Sequence, residues 1–131
     1  VMQRSILQKI EELREKEKFS TVFITHDISL LFEMATKIAI MYAGEIVELG
    51  IAKDVYLKPL HPYTKGLIEA LPSISRTLNE YKSIPGRPLD LSLKIKGCPF
   101  KERCSYAFDK CSVKKPELRN VDGRWVSCHL Y

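Results

Sequence analysis

Four cysteines are the residues of this 131-residue chain best suited to chemistry, and all four lie in its last third. Cys98, Cys104, Cys111 and Cys128 are spaced C-x5-C-x6-C-x16-C. That spacing lacks the C-x2-C pairs of zinc ribbons and fingers, which argues against zinc. Four thiolates are the ligand set of an iron–sulfur cluster, although the local spacing differs from that of common ferredoxins. Disulfides are the remaining reading, and they form in oxidising compartments and in intracellular proteins of hyperthermophiles. Lys101, Arg103, Lys110, Lys114 and Lys115 lie among the cysteines and could offset the charge of four thiolates. Whichever state holds, a segment so poor in aliphatic residues needs a staple.

His26 is the second candidate. It directly follows the β-branched run Thr21-Val22-Phe23-Ile24-Thr25, which reads as a strand. In open parallel α/β sheets, ligands bind at the carboxyl ends of strands. A histidine there can donate a ring N–H to a phosphate oxygen or orient a water. Position alone would serve a capping or packing histidine as well. His61, in Leu60-His61-Pro62-Tyr63, reads as structural, with Pro62 suited to the first turn of a helix.

The elements that must carry these residues follow from periodicity. Ile6, Leu7, Ile10 and Leu13 recur three and four apart, which predicts an amphipathic helix over residues 1–18. Residues 21–25 and 37–42 are consecutive apolar runs and predict strands buried on both faces, as in a parallel sheet. A helix is expected between them, over residues 28–35. Ala43-Gly44-Glu45 is a turn, after which residues 46–49 return antiparallel to 37–42. Short helices are expected over 52–57, ended by Pro59, and over 64–71, closed by Pro72. Beyond Ser73 the pattern weakens into an irregular connection around Pro85, Gly86 and Pro88, and residues 94–131 have no sustained period.

The net charge of +5 is spread over scattered, interleaved Lys and Arg rather than gathered into a stripe, which argues against a nucleic-acid surface. No apolar stretch approaches the roughly 20 residues that span a bilayer. The start, Val1-Met2-Gln3-Arg4-Ser5, has no signal-peptide pattern and reads as an interior point of a longer chain.

Two longer words sharpen this reading. Phe23-Ile24-Thr25-His26-Asp27 and the later Met41-Tyr42-Ala43-Gly44-Glu45-Ile46-Val47-Glu48-Leu49-Gly50 resemble the end of an ABC-type ATPase domain. The resemblance implies that His26 is the switch histidine contacting the γ-phosphate of ATP. Pro59-Leu60-His61-Pro62-Tyr63-Thr64-Lys65-Gly66-Leu67 and Ile84-Pro85-Gly86 resemble the C-terminal extension of oligopeptide/dipeptide transporter ATPases. Gly97-Cys98-Pro99-Phe100, Arg103-Cys104, Pro116, Gly123-Arg124 and Cys128-His129-Leu130 fit the same family. Members with this cysteine set look like [4Fe–4S] binders, so the resemblance implies a cluster on Cys98, Cys104, Cys111 and Cys128. Thr36-Lys37 departs from the acidic residue and arginine of many relatives, a departure that touches packing detail away from His26.

The implied fold is α/β. Residues 1–58 would be the C-terminal part of a P-loop ATPase domain, with an incomplete, mostly parallel sheet. Residues 59–131 would be an irregular extension, with the four-cysteine segment at about 94–131. The chain contains no G-x-x-x-x-G-K-[ST] loop, no glycine-rich signature and no strand ending in Asp-Glu. On the resemblance these lie before Val1, so ATP and Mg²⁺ belong to the intact subunit and this chain by itself should not hydrolyse ATP. Implied partners are transmembrane permease subunits and a second ATPase subunit, on the cytoplasmic side of the cell membrane. The solute is not encoded here, because related importers carry peptides, sugars or metal chelates. A free-standing iron–sulfur or metal-binding module is the alternative, and a purely structural interaction domain is a blander one. Strands without flanking neighbours predict self-association, by edge pairing or exchange of the first helix.

Overall fold

The computed structural model describes residues 2–71, 83–92 and 94–131. Pro72, expected to close a helix, and Val1, expected to open one, lie outside the described residues. The order is α1 (Met2–Glu17), α2 (Ile28–Met34), β1 (Lys37–Tyr42), β2 (Glu45–Ile51), α3 (Ala52–Leu57) and α4 (Pro62–Glu69). A 3₁₀ turn (Lys101–Arg103), α5 (Asp109–Val113), β3 (Arg119–Val121) and β4 (Arg124–Val126) complete it.

The β1–β2 hairpin forms where the sequence places it. Its two turn residues, Ala43 and Gly44, both have positive φ, 51° and 80°. That geometry matches the twist of the flanking strands and explains the glycine. A register shift between Ile40 and Met41 takes up the extra residue Val47. β2 then pairs with β4, and β4 with β3, giving a four-stranded sheet in the order β1-β2-β4-β3. Every pairing is antiparallel.

Four expectations need correction. The sheet is antiparallel, not mostly parallel. β1 is buried on one face only: Ile38, Ile40 and Tyr42 point inward, whereas Met41 is exposed. Residues 21–25 form no strand, and Val22 and Ile24 are each 91% exposed. An extended run becomes a strand through a ladder with a neighbour, and none of the described strands lies beside this one. Finally, the aperiodic cysteine segment contains the short hairpin β3–β4, which completes the sheet. On α1 only Leu7 of the apolar face is buried, while Ile6, Ile10 and Leu13 are exposed.

The core joins Ile38, Ile40, Tyr42, Val47, Ala52 and Val55 to Phe100, with Cys98 and Cys104 packed against it. Sheet and core therefore both run across the residue 58/59 boundary. Phe32 of α2 meets Tyr56 of α3 edge-on at 5.0 Å, and the backbone N–H of Ala52 donates to Thr36 O at 3.0 Å. The ring contact holds α2 against α3, and the hydrogen bond ties the start of α3 to the residue before β1.

Candidate functional site

The cysteine segment is built on a buried polar cluster centred on Glu48. This carboxylate sits in β2 at 0% exposure, so its charge must be matched locally. Its two oxygens accept the backbone N–H groups of Leu60, at 3.0 Å, and His61, at 2.9 Å. The Arg124 guanidinium lies 3.6 Å away. Arg124 reaches across from β4 and also donates to the carbonyls of Asp54, at 3.2 Å, and Lys58, capping the C-terminal end of α3. Gly50 leaves the path open: a Cβ there would stand 2.8 Å from Arg124 Cγ.

The same cluster sets the start of α4. His61 is its N-cap: Nδ1 accepts the Tyr63 N–H at 3.0 Å, and Pro62 fills the first turn. The ring is 2% exposed, and burial pushes its pKa down from 6.5 to about 4. It is therefore neutral, with its proton on Nε2, and its role is structural. Phe100 packs against the rings of Tyr42, Tyr63 and His61, with centroids 5.2, 5.4 and 5.7 Å apart.

The four cysteines converge on this scaffold. None is in a disulfide; Cys111 is buried and the others are half-buried. Every pair is close enough for one thiolate to repel the other. Burial pushes the thiols of Cys98, Cys104 and Cys128 up, and that mutual repulsion adds to it. Backbone N–H groups partly offset the rise: Phe100 and Lys101 at Cys98, Tyr106 at Cys104, and Leu130 at Cys128. The Cys98 N–H donates to Cys111 O at 2.7 Å, which ties two arms together. Gly97 makes that approach feasible, since a Cβ at its φ of +78° would lie 2.3 Å from Cys111 O.

Four of the five interleaved cations have partners other than the cysteines. Arg103 donates to the carbonyls of Ile84 and Pro85. Lys115 pairs with Glu45, Lys114 with Glu117 and Lys101 with Glu102. The dipoles facing the sulfurs are main-chain N–H groups.

Among the described residues, no group of three or more His, Cys, Asp or Glu side chains is arranged to hold a metal ion.

His26 stands apart from this scaffold. It is exposed, at the bend before α2. Asp27 caps that helix, its Oδ1 accepting the Leu30 N–H at 3.1 Å, and its own N–H donates to Thr25 Oγ1 at 3.0 Å. The sequence reading singled out His26 and the cysteines and quoted Glu48, Gly50 and Arg124 only within family words, with no role assigned to them. The available signal was a carboxylate inside the apolar run Ile46-Val47-Glu48-Leu49, where a charge needs a buried partner.

A family model, the C-terminal region of oligopeptide/dipeptide transporters, matches residues 47–111. The chain is 39% identical to the dipeptide transport ATP-binding protein DppD of Caldanaerobacter subterraneus subsp. tengcongensis, over 98% of its own length and 40% of that protein. It is 40% identical to DppD of Escherichia coli, over 98% of its length and 39% of the relative. Against the oligopeptide transport ATP-binding protein OppD of Escherichia coli, identity is 35% over 97% of the chain and 38% of the relative. The chain thus spans about two fifths of these curated relatives.

Proposed function

The chain belongs to the ATP-binding subunits of oligopeptide/dipeptide-type ABC transporters, and on that premise we propose that the intact subunit hydrolyses ATP to drive import of peptides or related solutes. The supporting observation is the match over nearly the whole chain to subunits named for dipeptide and oligopeptide transport. In this reading residues 1–58 close the ATPase domain and residues 59–131 are the family's extension. The subunit works in a pair with a second ATPase subunit, beneath transmembrane permease subunits, on the cytoplasmic side. Among the described residues no helix is long and apolar enough to cross a membrane.

His26 would act on the γ-phosphate. Its exposed ring can donate an N–H to a phosphate oxygen, which positions the group and stabilises charge as it develops. ATP and Mg²⁺ are otherwise held by residues of the intact subunit, since these 131 residues contain no phosphate-cradling loop. The test is His26→Ala in the intact subunit. Hydrolysis should fall strongly while nucleotide binding is mostly kept, because adenine and the inner phosphates are held elsewhere. Equal loss of binding and hydrolysis would show a structural histidine instead.

The four-cysteine segment would hold a [4Fe–4S] cluster on Cys98, Cys104, Cys111 and Cys128. When bound, the cluster supplies a cross-link among four chain positions and, in principle, one-electron chemistry. Prepared without oxygen, the protein should be brown, contain about four irons and absorb near 400 nm. A colourless anaerobic sample with one zinc or with disulfides would overturn this assignment.

The isolated chain should also self-associate. The exposed run at residues 22–24 and the exposed face of α1 (Ile6, Ile10 and Leu13) support that reading.

A further inference from the structure

His26 owes its place to the short helix that follows it. The Asp27 N–H donates to Thr25 Oγ1 at 3.0 Å, and Asp27 Oδ1 accepts the Leu30 N–H at 3.1 Å. The Asp27 carbonyl also accepts the Leu31 N–H at 3.2 Å, which joins the backbone beside His26 to the first turn of α2. A helix of seven residues is too short to hold itself, so its position is set by what it packs against. Leu30 is buried, Phe32 and Ala35 pack on the core, and Phe32 meets Tyr56 edge-on. The helix carrying Tyr56, α3, has six residues and depends on its neighbours in the same way. Val55 buries its inner face, and the Ala52 N–H ties its start to Thr36. At its other end the carbonyls of Asp54 and Lys58 accept from the Arg124 guanidinium of β4. The Arg124 side chain is largely buried and lies 3.6 Å from Glu48, which fixes its orientation. A continuous path of contact therefore runs from Arg124 through α3, Tyr56, Phe32 and α2 to Asp27, beside His26.

We propose that Tyr56 and Arg124 are positioning residues for His26: the Tyr56 ring seats α2, and Arg124 fixes the end of α3 so that the seat stays in place. This rests on the γ-phosphate reading of His26 above and names what places that ring. An exposed histidine at a bend has little else to orient it. Misplacing a reacting group by about 1 Å, through a change far from the chemistry, can cost about 100-fold in rate. Through packing alone, β4 of the extension thereby takes part in hydrolysis.

A double-mutant cycle in the intact subunit provides the test, reading both ATP hydrolysis and ATP affinity. Tyr56→Ala should lower kcat about tenfold and leave ATP affinity within about twofold. Tyr56→Phe, which keeps the ring, should stay within about twofold of the parent in both. In the His26→Ala background, Tyr56→Ala should cost no more than about twofold further, because the group it places is already gone. Arg124→Lys keeps a cation for Glu48 but loses the planar fork that spans two carbonyls. It should lower kcat about threefold, again only when His26 is present. Equal losses with and without His26, full hydrolysis by Tyr56→Ala, or a parallel fall in ATP affinity would each overturn the inference and leave the role of His26 standing. Full hydrolysis by His26→Ala alone would sink both. If Tyr56→Ala does not fold, Tyr56→Leu, which keeps bulk without an aromatic ring, decides through the same cycle.

Discussion

Residues 19–26 and the Glu48–His61–Arg124 cluster are both carried by sequence words of the same family, and they differ in almost every physical respect. The first is apolar and exposed, with Val22 and Ile24 nearly bare and no strand formed. The second is polar and buried, with Glu48 at 0% and His61 at 2% exposure and the carboxylate fully matched. Hydrophobic runs are stabilised only by whatever surface they meet. A buried charge, in contrast, is tolerated only if its partners are already in place. The cluster therefore has its partners among the described residues, whereas no described strand lies beside the run at 21–25.

The sharpest break of that contrast is Glu48→Ala. It leaves Arg124 buried without its carboxylate and two backbone N–H groups without an acceptor. Loss of one partner from a buried pair costs about 3–5 kcal/mol, enough to unfold a marginal domain. Denaturant titration should show that loss. A change below about 1 kcal/mol would mean the cluster is solvated.

Acid should act on the same cluster through His61. Its folded pKa, about 4, lies below the ordinary 6.5. The unfolded chain therefore takes up the proton first as pH falls. The stability tied to neutral His61 is fully present above 6.5 and is lost as pH drops toward 4. Linkage puts the total at about 3 kcal/mol. Protonated Nδ1 could no longer accept the Tyr63 N–H, so the cap itself fails. His61→Asn keeps a side-chain acceptor at the N-cap and should flatten the pH dependence in that window. An unchanged slope would place the acid sensitivity elsewhere.

A third test separates two glycines with nearly the same backbone. Gly97 and Gly123 both have positive φ, 78° and 80°. A Cβ at Gly97 meets Cys111 O at 2.3 Å, whereas one at Gly123 meets nothing within 4 Å. Gly123→Ala should cost only the left-handed backbone, about 1–2 kcal/mol. Gly97→Ala should cost about 1 kcal/mol more and impair anaerobic iron uptake, because the Cys98–Cys111 tie would be displaced. Equal losses in thermal unfolding and equal iron uptake would remove the argument for a built cysteine centre.

Legibility in the sequence followed partner distance. The β1–β2 hairpin was readable because its turn, Ala43-Gly44, and its apolar inward positions are local. Pro62 and the helix after it were readable for the same reason. The β2–β4 pairing was not, since Leu49 and Trp125 are far apart in sequence and β4 has only three residues. Missing that pairing also hid Arg124 and left Glu48 looking like an ordinary charged residue. The mistake at residues 21–25 ran the other way: consecutive apolar residues specify a wish to be buried, and burial needs a neighbouring strand. The cysteines stood out by count, but the Cys98–Cys111 backbone tie and the open space at Gly97 that permits it could not be read from their spacing.

The smallest effect on stability is expected where the apolar surface is largest. In the double variant Val22→Ser, Ile24→Ser, both changes fall on side chains that are 91% exposed and outside every described element. Surface substitutions of this kind usually stay within about 0.5 kcal/mol, so the unfolding midpoint should hardly move. Association should respond much more, because the run combines β-branched residues with an unpaired extended backbone, the pattern that recruits a second chain. Sedimentation at micromolar concentration should show oligomers for the parent chain and a shift toward monomer for the variant. Persisting oligomers would assign the contact to Ile6, Ile10 and Leu13 of α1 instead, and Leu13→Ser would then be the variant that disperses them. A large loss of stability in the double variant would reverse the contrast drawn above, because it would place residues 22 and 24 in a core.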